Sequence, residues 1–231
     1  MANETACASA VELMRARAGI YRMFASLYFK ELTIDQMRSL ADSDLSCFGG
    51  LDPAIAEGVR DVTSAVRHAH EVAREDLATD YAHTFLSAGS TKNEKRACPF
   101  ESVFTSDQGL LMQEARDEVY RLMLAEHVEP DARLHVPEDH ISFECEFMAV
   151  LGERAAEALM AGDGREAVRL LGAQRRFHAE HLENWMDAFC DAVLACCRTR
   201  FYGGVAKMTR SFVRLDVELM DECDDLLCRA A

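Results

Sequence analysis

A chain of 231 residues, 49% of them apolar, is long enough to bury one large core and too apolar to stay unfolded. Its 40 acidic side chains outnumber 25 basic ones, and the formal charge of −15 disfavours nucleic acid and anionic membranes while favouring basic partners. No run is apolar enough to span a bilayer, the N-terminus lacks a basic start followed by an apolar block, and nine scattered cysteines without a CxxC pair read as reduced core thiols, so the expected compartment is the cytoplasm.

The predicted elements are helices throughout, with no alternating strand. Met14, Ala18, Tyr21, Ala25 and Tyr28 trace one stripe, widened by Leu13, Phe24 and Leu27. Thr33 and Gln36 have capping-box spacing and open a short second helix. Asp52 and Pro53 pair a cap with a first-turn proline, starting a helix predicted to reach about Arg74, and Asp76 to Leu86 forms another. The period then stops: a long loop is expected over 87–105, including SAGSTKNEKRACPFES, and such loops often carry function. A helix is predicted from Ser106 to Glu126, then a second loop over 127–137 containing Pro130 and Pro137. Four more helices follow: one from about Glu138 to Gly162, then Arg165 to His178, Leu182 to Arg198, and Phe201 to Leu227. Short connections imply side-by-side packing. The expected fold is all-α, a single compact multi-helix domain over 1–231, with the two loops flanking a binding site.

The stretch VPEDHISFECEFMAVL breaks the usual pattern. At 100° per residue, His140, Ile141, Phe147, Met148, Leu151, Ala155, Ala158 and Leu159 all lie within 60° of Glu144, at the centre of the apolar face. Asp139, Ser142, Glu146, Glu153 and Glu157 fall opposite. A carboxylate on an apolar face must be protonated, hydrogen-bonded or paired, because an unpaired buried charge costs about 3–5 kcal/mol. His140, in the first turn, is expected to be neutral. Two readings stand side by side. Either Glu144 and His140 brace the helix against a neighbour and Glu138 and Asp139 merely start it, or the acids and histidine at this helix mouth receive a cationic ligand.

Several chemistries lack their residues. Gly203-Gly204 follows no strand, so it does not make a phosphate loop. No Glu-x-x-His pairs occur for a bundle di-metal site, and His178 with His181 falls short of the ligands a metal needs. No serine or cysteine has the setting of a nucleophile. The expectation is no enzyme, no metal and no cofactor.

Three blocks carry a resemblance. YAHTFLSAG with CPFESVF, PEDHISFECEFMAVL, and FHAEHLENWMDAFCDAV with FYGGVAKMTRSF occur in this order from about Tyr81 to Phe212. Together they resemble the TorD/DmsD family of cytoplasmic chaperones for molybdenum-cofactor oxidoreductases. The resemblance implies an all-helical fold and a chaperone that binds the twin-arginine signal peptide of a molybdopterin oxidoreductase, of the dimethyl sulfoxide or trimethylamine N-oxide reductase type. It would hold the catalytic subunit until its cofactor is loaded, as a monomer or a domain-exchanged dimer. Carried over, the peptide-binding residues implied are Tyr81, Phe85, Pro99, Glu101, Ser102, Glu138, Asp139 and His140, with Glu144 and Trp185 as structural braces. Tyr81 and Phe85, four apart on a helix, also read simply as core. The chain departs from the family pattern at Asn184, Cys145 and Cys98, where proline, leucine and a second proline are usual. The alternatives are a helical-bundle metal-binding enzyme using His140, Glu144, His178 and His181, and a generic helical adaptor.

Overall fold

The computed structural model describes residues 2–43, 45, 50, 52–86 and 97–230. Among these residues there is no β-strand; Phe100 and His140 form an isolated antiparallel bridge. The chain runs through α1 (Ala2–Phe29), α2 (Ile34–Asp42), α3 (Pro53–Val66), α4 (Glu71–Thr84) and a short α5 (Glu101–Thr105). It continues with α6 (Glu114–Ala125), α7 (Ile141–Met160), α8 (Gly164–Phe177), α9 (Met186–Cys196) and α10 (Arg200–Ala230). Helix α7 lies at the centre, packed on α1 and α8, while α10 packs on α1, α3 and α9. One core joins them, with Phe24, Phe147, Phe177, Trp185 and Phe201 buried within it.

The local signals act as expected at several boundaries. Thr33 and Gln36 form the full capping box at α2. Asp52 caps α3 by accepting from the Ala54 and Ile55 amides at 2.8 and 3.2 Å, with Pro53 in the first turn. The predicted stripe of α1 is the buried one: Met14, Ala18, Tyr21 and Tyr28 are all at most 1% exposed.

Other boundaries differ. The helix predicted from Asp52 to Arg74 ends at Val66, because His70 caps a new helix, its Nδ1 accepting from the Ala73 amide at 3.2 Å. The helix predicted from Ser106 starts only at Glu114. Gly109 and Met112 adopt left-handed backbone (φ 61° and 60°), which breaks the helical path, and the Ser106 hydroxyl takes the Leu110 amide instead. Of the loop expected over 87–105, residues 87–96 lie outside the described residues, and residues 101–105 form α5. The loop over 127–137 contains a 3₁₀ turn at Ala132–Leu134, entered and left near left-handed His127 and His135.

Gly204 is helical as the sequence suggests, and its role is steric. A Cβ on Gly204 would sit 2.8 Å from the Gly58 carbonyl oxygen, and one on Gly58 would sit 2.6 Å from that of Gly204. The pair lets α3 and α10 touch backbone to backbone. The start of α10 is held from a distance by Asp80 of α4, which is 1% exposed. Its carboxylate accepts from the Arg198 amide at 2.8 Å and from the Thr199 amide and hydroxyl at 2.7 and 2.5 Å. Asp80→Ala removes the acceptor of those part-buried donors, so a loss of about 1–2 kcal/mol is expected, read as a lower urea midpoint with unchanged helicity.

Candidate functional site

The two segments that the sequence placed near each other do meet. The Ile141 amide donates to the Pro99 carbonyl at 3.0 Å and the Glu101 amide to the Asp139 carbonyl at 2.9 Å. Asp139 then caps α5, its Oδ2 accepting from the Ser102 amide at 3.0 Å. Ser102 passes the connection on: its hydroxyl accepts from the Gln113 amide at 3.2 Å and so fixes the entry to α6. A chain of backbone and side-chain bonds thus runs from the start of α7 through α5 to α6.

Asp139 and His140 do not form the exposed helix mouth expected of them. Asp139 is 0% exposed and His140 5%. The wheel failed for Asp139 because α7 begins at Ile141, so Glu138 and Asp139 precede the helix and take no helical direction. His140 is the N-cap of α7: its Nδ1 accepts from the Ser142 amide at 3.1 Å, which places the ring proton on Nε2. Its ring packs against Phe100 at 4.9 Å between centroids, with Phe29 and Phe143 beyond. Burial pulls its pKa down to about 3, so the ring is neutral. Neutrality was expected from the helix dipole, but burial is the cause.

Tyr81 and Phe85 are core residues, each 2% exposed. Their rings lie 5.1 Å apart and both pack on Tyr202, while the Tyr81 hydroxyl donates to the Tyr28 carbonyl at 3.0 Å. Pro99 is buried as well. Glu138 sits at a surface cleft of about 420 Å³, but its carboxylate is already bound to Arg116 at 2.5 Å. Arg116 also stacks over Tyr120. None of these residues presents a free group for a peptide.

Glu101 is different. It is 1% exposed, yet it forms the floor of a second cleft of about 510 Å³. His181 Nδ1 lies 3.0 Å from one carboxylate oxygen and the Asn184 amide donates to the other at 2.7 Å. His181 reaches Glu101 because residues His178–Leu182 form a π turn between α8 and α9, a local irregularity of the kind often kept at functional sites. The Trp185 indole braces this turn by donating to the His181 carbonyl at 2.6 Å.

Around that floor stand Asp107, Glu114, Glu118 and Glu180, and among the described residues no lysine or arginine lines the cleft. Arg121 approaches Glu118 from outside at 4.0 Å. Beside the cleft, on the left-handed turn leading into α6, Leu110, Leu111 and Met112 are 50%, 43% and 56% exposed. The arrangement is a five-carboxylate trough beside an apolar ridge. Sequence reasoning missed Asp107, Glu114, Glu118, Glu180 and the ridge. Glu114 and Glu118, one helical turn apart, were the available signal, but a helix running from Ser106 puts Leu111 on the buried side with Ala115, Val119 and Leu122.

Behind Glu101 lies Glu144, 0% exposed, with neither carboxyl oxygen in a well-formed hydrogen bond among the described residues, although the Glu101 carboxylate and the Trp185 indole stand close by. Burial, then the neighbouring Glu101 and Asp139, push its pKa far above the ordinary carboxylate range. Burial and Glu101 also raise Asp139, against the pull of its bonds with Ser102. The metal reading loses its ligands: His178 Nε2 lies 2.8 Å from the Val213 carbonyl, His181 serves Glu101, and no group of three or more His, Cys, Asp or Glu suited to a metal occurs among the described residues.

The described residues form a helical domain whose surface carries an acidic trough with the charge to attract a basic ligand. The family profile described as nitrate reductase delta subunit matches residues 49–191. The chain is also similar to proteins named chaperone protein TorD. That of Vibrio cholerae is 28% identical over 215 residues, covering 91% of this chain and 94% of the relative. Those of Photobacterium profundum and Shewanella loihica are 27% and 26% identical, covering 88% and 89% of this chain and 94% and 93% of the relatives. The chain belongs to the TorD/DmsD family, whose profile is that of the nitrate reductase delta subunit.

Proposed function

We propose that this protein is a maturation chaperone for a molybdopterin oxidoreductase and that it captures the twin-arginine signal peptide of the catalytic subunit in the acidic trough. Its relatives are named as chaperones, not as catalysts. The observation that carries the reading is the trough itself: five carboxylates with no lining cation among the described residues, set beside three exposed apolar residues. A twin-arginine leader has the matching chemistry. Guanidinium groups pair with carboxylates through forked donors, and the apolar stretch that accompanies them covers Leu110–Met112.

In this reading the residues expected from the sequence divide by role. Glu101 contacts the peptide, and Asp139, Ser102 and His140 hold Glu101 and the α6 turn in place from beneath. Tyr81, Phe85 and Pro99 support the core, and Glu138 positions Arg116. The client is a reductase of the dimethyl sulfoxide or trimethylamine N-oxide type, as the family resemblance implies, and the encounter takes place in the cytoplasm. No helix among the described residues is long and apolar enough to cross a membrane.

Glu114 and Glu118 are exposed, so their charge is changed without disturbing the core. Glu114→Lys with Glu118→Lys is expected to weaken binding of a twin-arginine leader peptide by roughly tenfold or more, about 1.4 kcal/mol or above. Calorimetry measures this, and circular dichroism is expected to show unchanged helicity. An unchanged Kd removes the trough from the site. Asp139→Asn, by contrast, is expected to lower the melting temperature before it alters affinity.

A further inference from the structure

Glu101 belongs to two neighbourhoods at once. On one side it is the floor of the trough. On the other it faces a sealed acidic group in which Glu144 has two unpartnered oxygens and Asp139 has one, Oδ1. Buried polar atoms are almost always satisfied, so three orphaned carboxyl oxygens in one place call for an explanation. Both side chains are 0% exposed.

The groups facing Glu144 are Glu101 from α5, Asp139 from the turn before α7 and the Trp185 indole ahead of α9. His181 on the π turn reaches the group only through Glu101. Cys145 is the chain neighbour of Glu144, and α1 brings Tyr21 and Tyr28 towards that cysteine. No cation among the described residues figures in this group. Three acids in contact cannot all be charged in an apolar setting, and Glu144, the deepest and least bonded, is the one that keeps its proton.

We propose that a guanidinium seated on Glu101 drives the proton off Glu144, so that the trough takes its basic peptide with proton release and holds it more tightly as pH rises. The inference rests on the leader-capture reading. The entry point is set by Asn184, an exposed residue whose amide now occupies one Glu101 oxygen at 2.7 Å. A guanidinium offers forked donors to the same carboxylate and supplies the positive charge that the buried group lacks. The neighbouring carboxylic acid then becomes a carboxylate. Its proton passes to the buffer, only the O–H bond of Glu144 breaks, and the peptide arginine keeps its own charge throughout.

The test is titration calorimetry of the intact protein with an acetylated, histidine-free leader peptide containing two consecutive arginines and an apolar stretch. It is run in phosphate and in Tris, whose ionisation enthalpies differ, between about pH 6 and 9. The expected result is a heat that depends on the buffer in the sense of proton release. The affinity is expected to rise with pH by at most about tenfold per unit, the limit for one linked proton. Glu144→Gln is expected to bind the peptide with neither the buffer dependence nor the pH slope.

Binding by the wild type with equal heats in both buffers and a flat pH profile overturns the proposal, and that result needs no variant. Proton release that persists in Glu144→Gln overturns it too. A wild type that fails to bind the peptide at any pH instead removes the leader-capture reading on which it stands.

Discussion

Asp216→Ala is expected to lower the stability of this protein by about 3–5 kcal/mol, because it strands a buried guanidinium. Arg17 is 1% exposed and Asp216 0%, on α1 and α10 respectively. The pair is forked, with Nε and Nη2 donating to the two carboxylate oxygens at 2.6 and 2.8 Å. Tyr21 donates to the same carboxylate at 2.7 Å, and the Gln174 side chain on α8 accepts from Arg17 at 3.0 Å. Burial pulls Arg17 towards its neutral form, and Asp216 more than reverses that pull. Removing the carboxylate leaves the guanidinium with Gln174 as an acceptor and, among the described residues, without its counter-ion. For a chain of this size each kcal/mol is worth about 2–4 °C, so the melting temperature should fall by on the order of 10 °C.

The opposite experiment separates pairing from packing. Arg17→Met combined with Asp216→Leu removes both charges and keeps the volume, and it is expected to cost less than Asp216→Ala alone. Thermal unfolding followed by circular dichroism decides both. A single variant within 1 kcal/mol of the wild type, or a double variant worse than the single, contradicts this account of the network.

The Arg17 network also marks where sequence reasoning stops. An arginine one residue before the Ala18 stripe looks like an edge residue, and its partner lies 199 positions away with no local signature. The helices themselves were legible because their signals are local: the stripe of α1, the capping box at Thr33 and the Asp52–Pro53 start all depend on residues within one or two turns. The central position of Glu144 was legible too, since periodicity alone puts it among Phe147, Met148 and Leu151, all buried here. What periodicity does not supply is the point where a helix begins. Placing Glu138 and Asp139 inside α7 aimed Asp139 outwards, whereas one turn of non-helical chain turns it inwards onto Ser102. The same error at Ser106 hid the apolar ridge. The encounter of 97–101 with 137–141 was expected only as two loops flanking one site, and the backbone bonds that join them have no local signature.

These two boundary effects have one physical consequence for the site. Because Asp139 is spent as a cap for α5, Glu101 is left as the buried acid at the floor of the cleft, with the exposed carboxylates of Asp107, Glu114, Glu118 and Glu180 around its rim. In the proposed leader-capture reading, the rim charges would set attraction and association rate, while the floor would set the geometry that distinguishes arginine from lysine.

Glu144→Gln is expected to make the protein more stable above neutral pH, and the sign follows from two buried groups that titrate in opposite senses. The folded protein holds His140 at about 3 against an ordinary 6.5. Its contribution is fully present above pH 6.5 and is lost as pH falls from there towards 3. Glu144 is raised from 4.5, so its contribution is fully present below 4.5 and is lost as pH rises towards its folded value. Asp139, raised from 3.8, tilts the curve in the same sense as Glu144. Between 4.5 and 6.5 the slopes of His140 and Glu144 oppose each other and nearly cancel. Above 6.5 only the acid side remains, and stability should fall by up to about 1.4 kcal/mol per pH unit. Glutamine keeps the shape of Glu144, carries no proton to lose and offers amide donors to Glu101 and Asp139. The variant curve should therefore stay level where the wild type declines. His140→Asn retains an N-cap acceptor and should flatten the acid limb alone. Melting temperatures measured across this range test both, and wild-type and Glu144→Gln curves that run parallel from pH 6.5 upwards would show that Glu144 is not the buried acid that holds the proton.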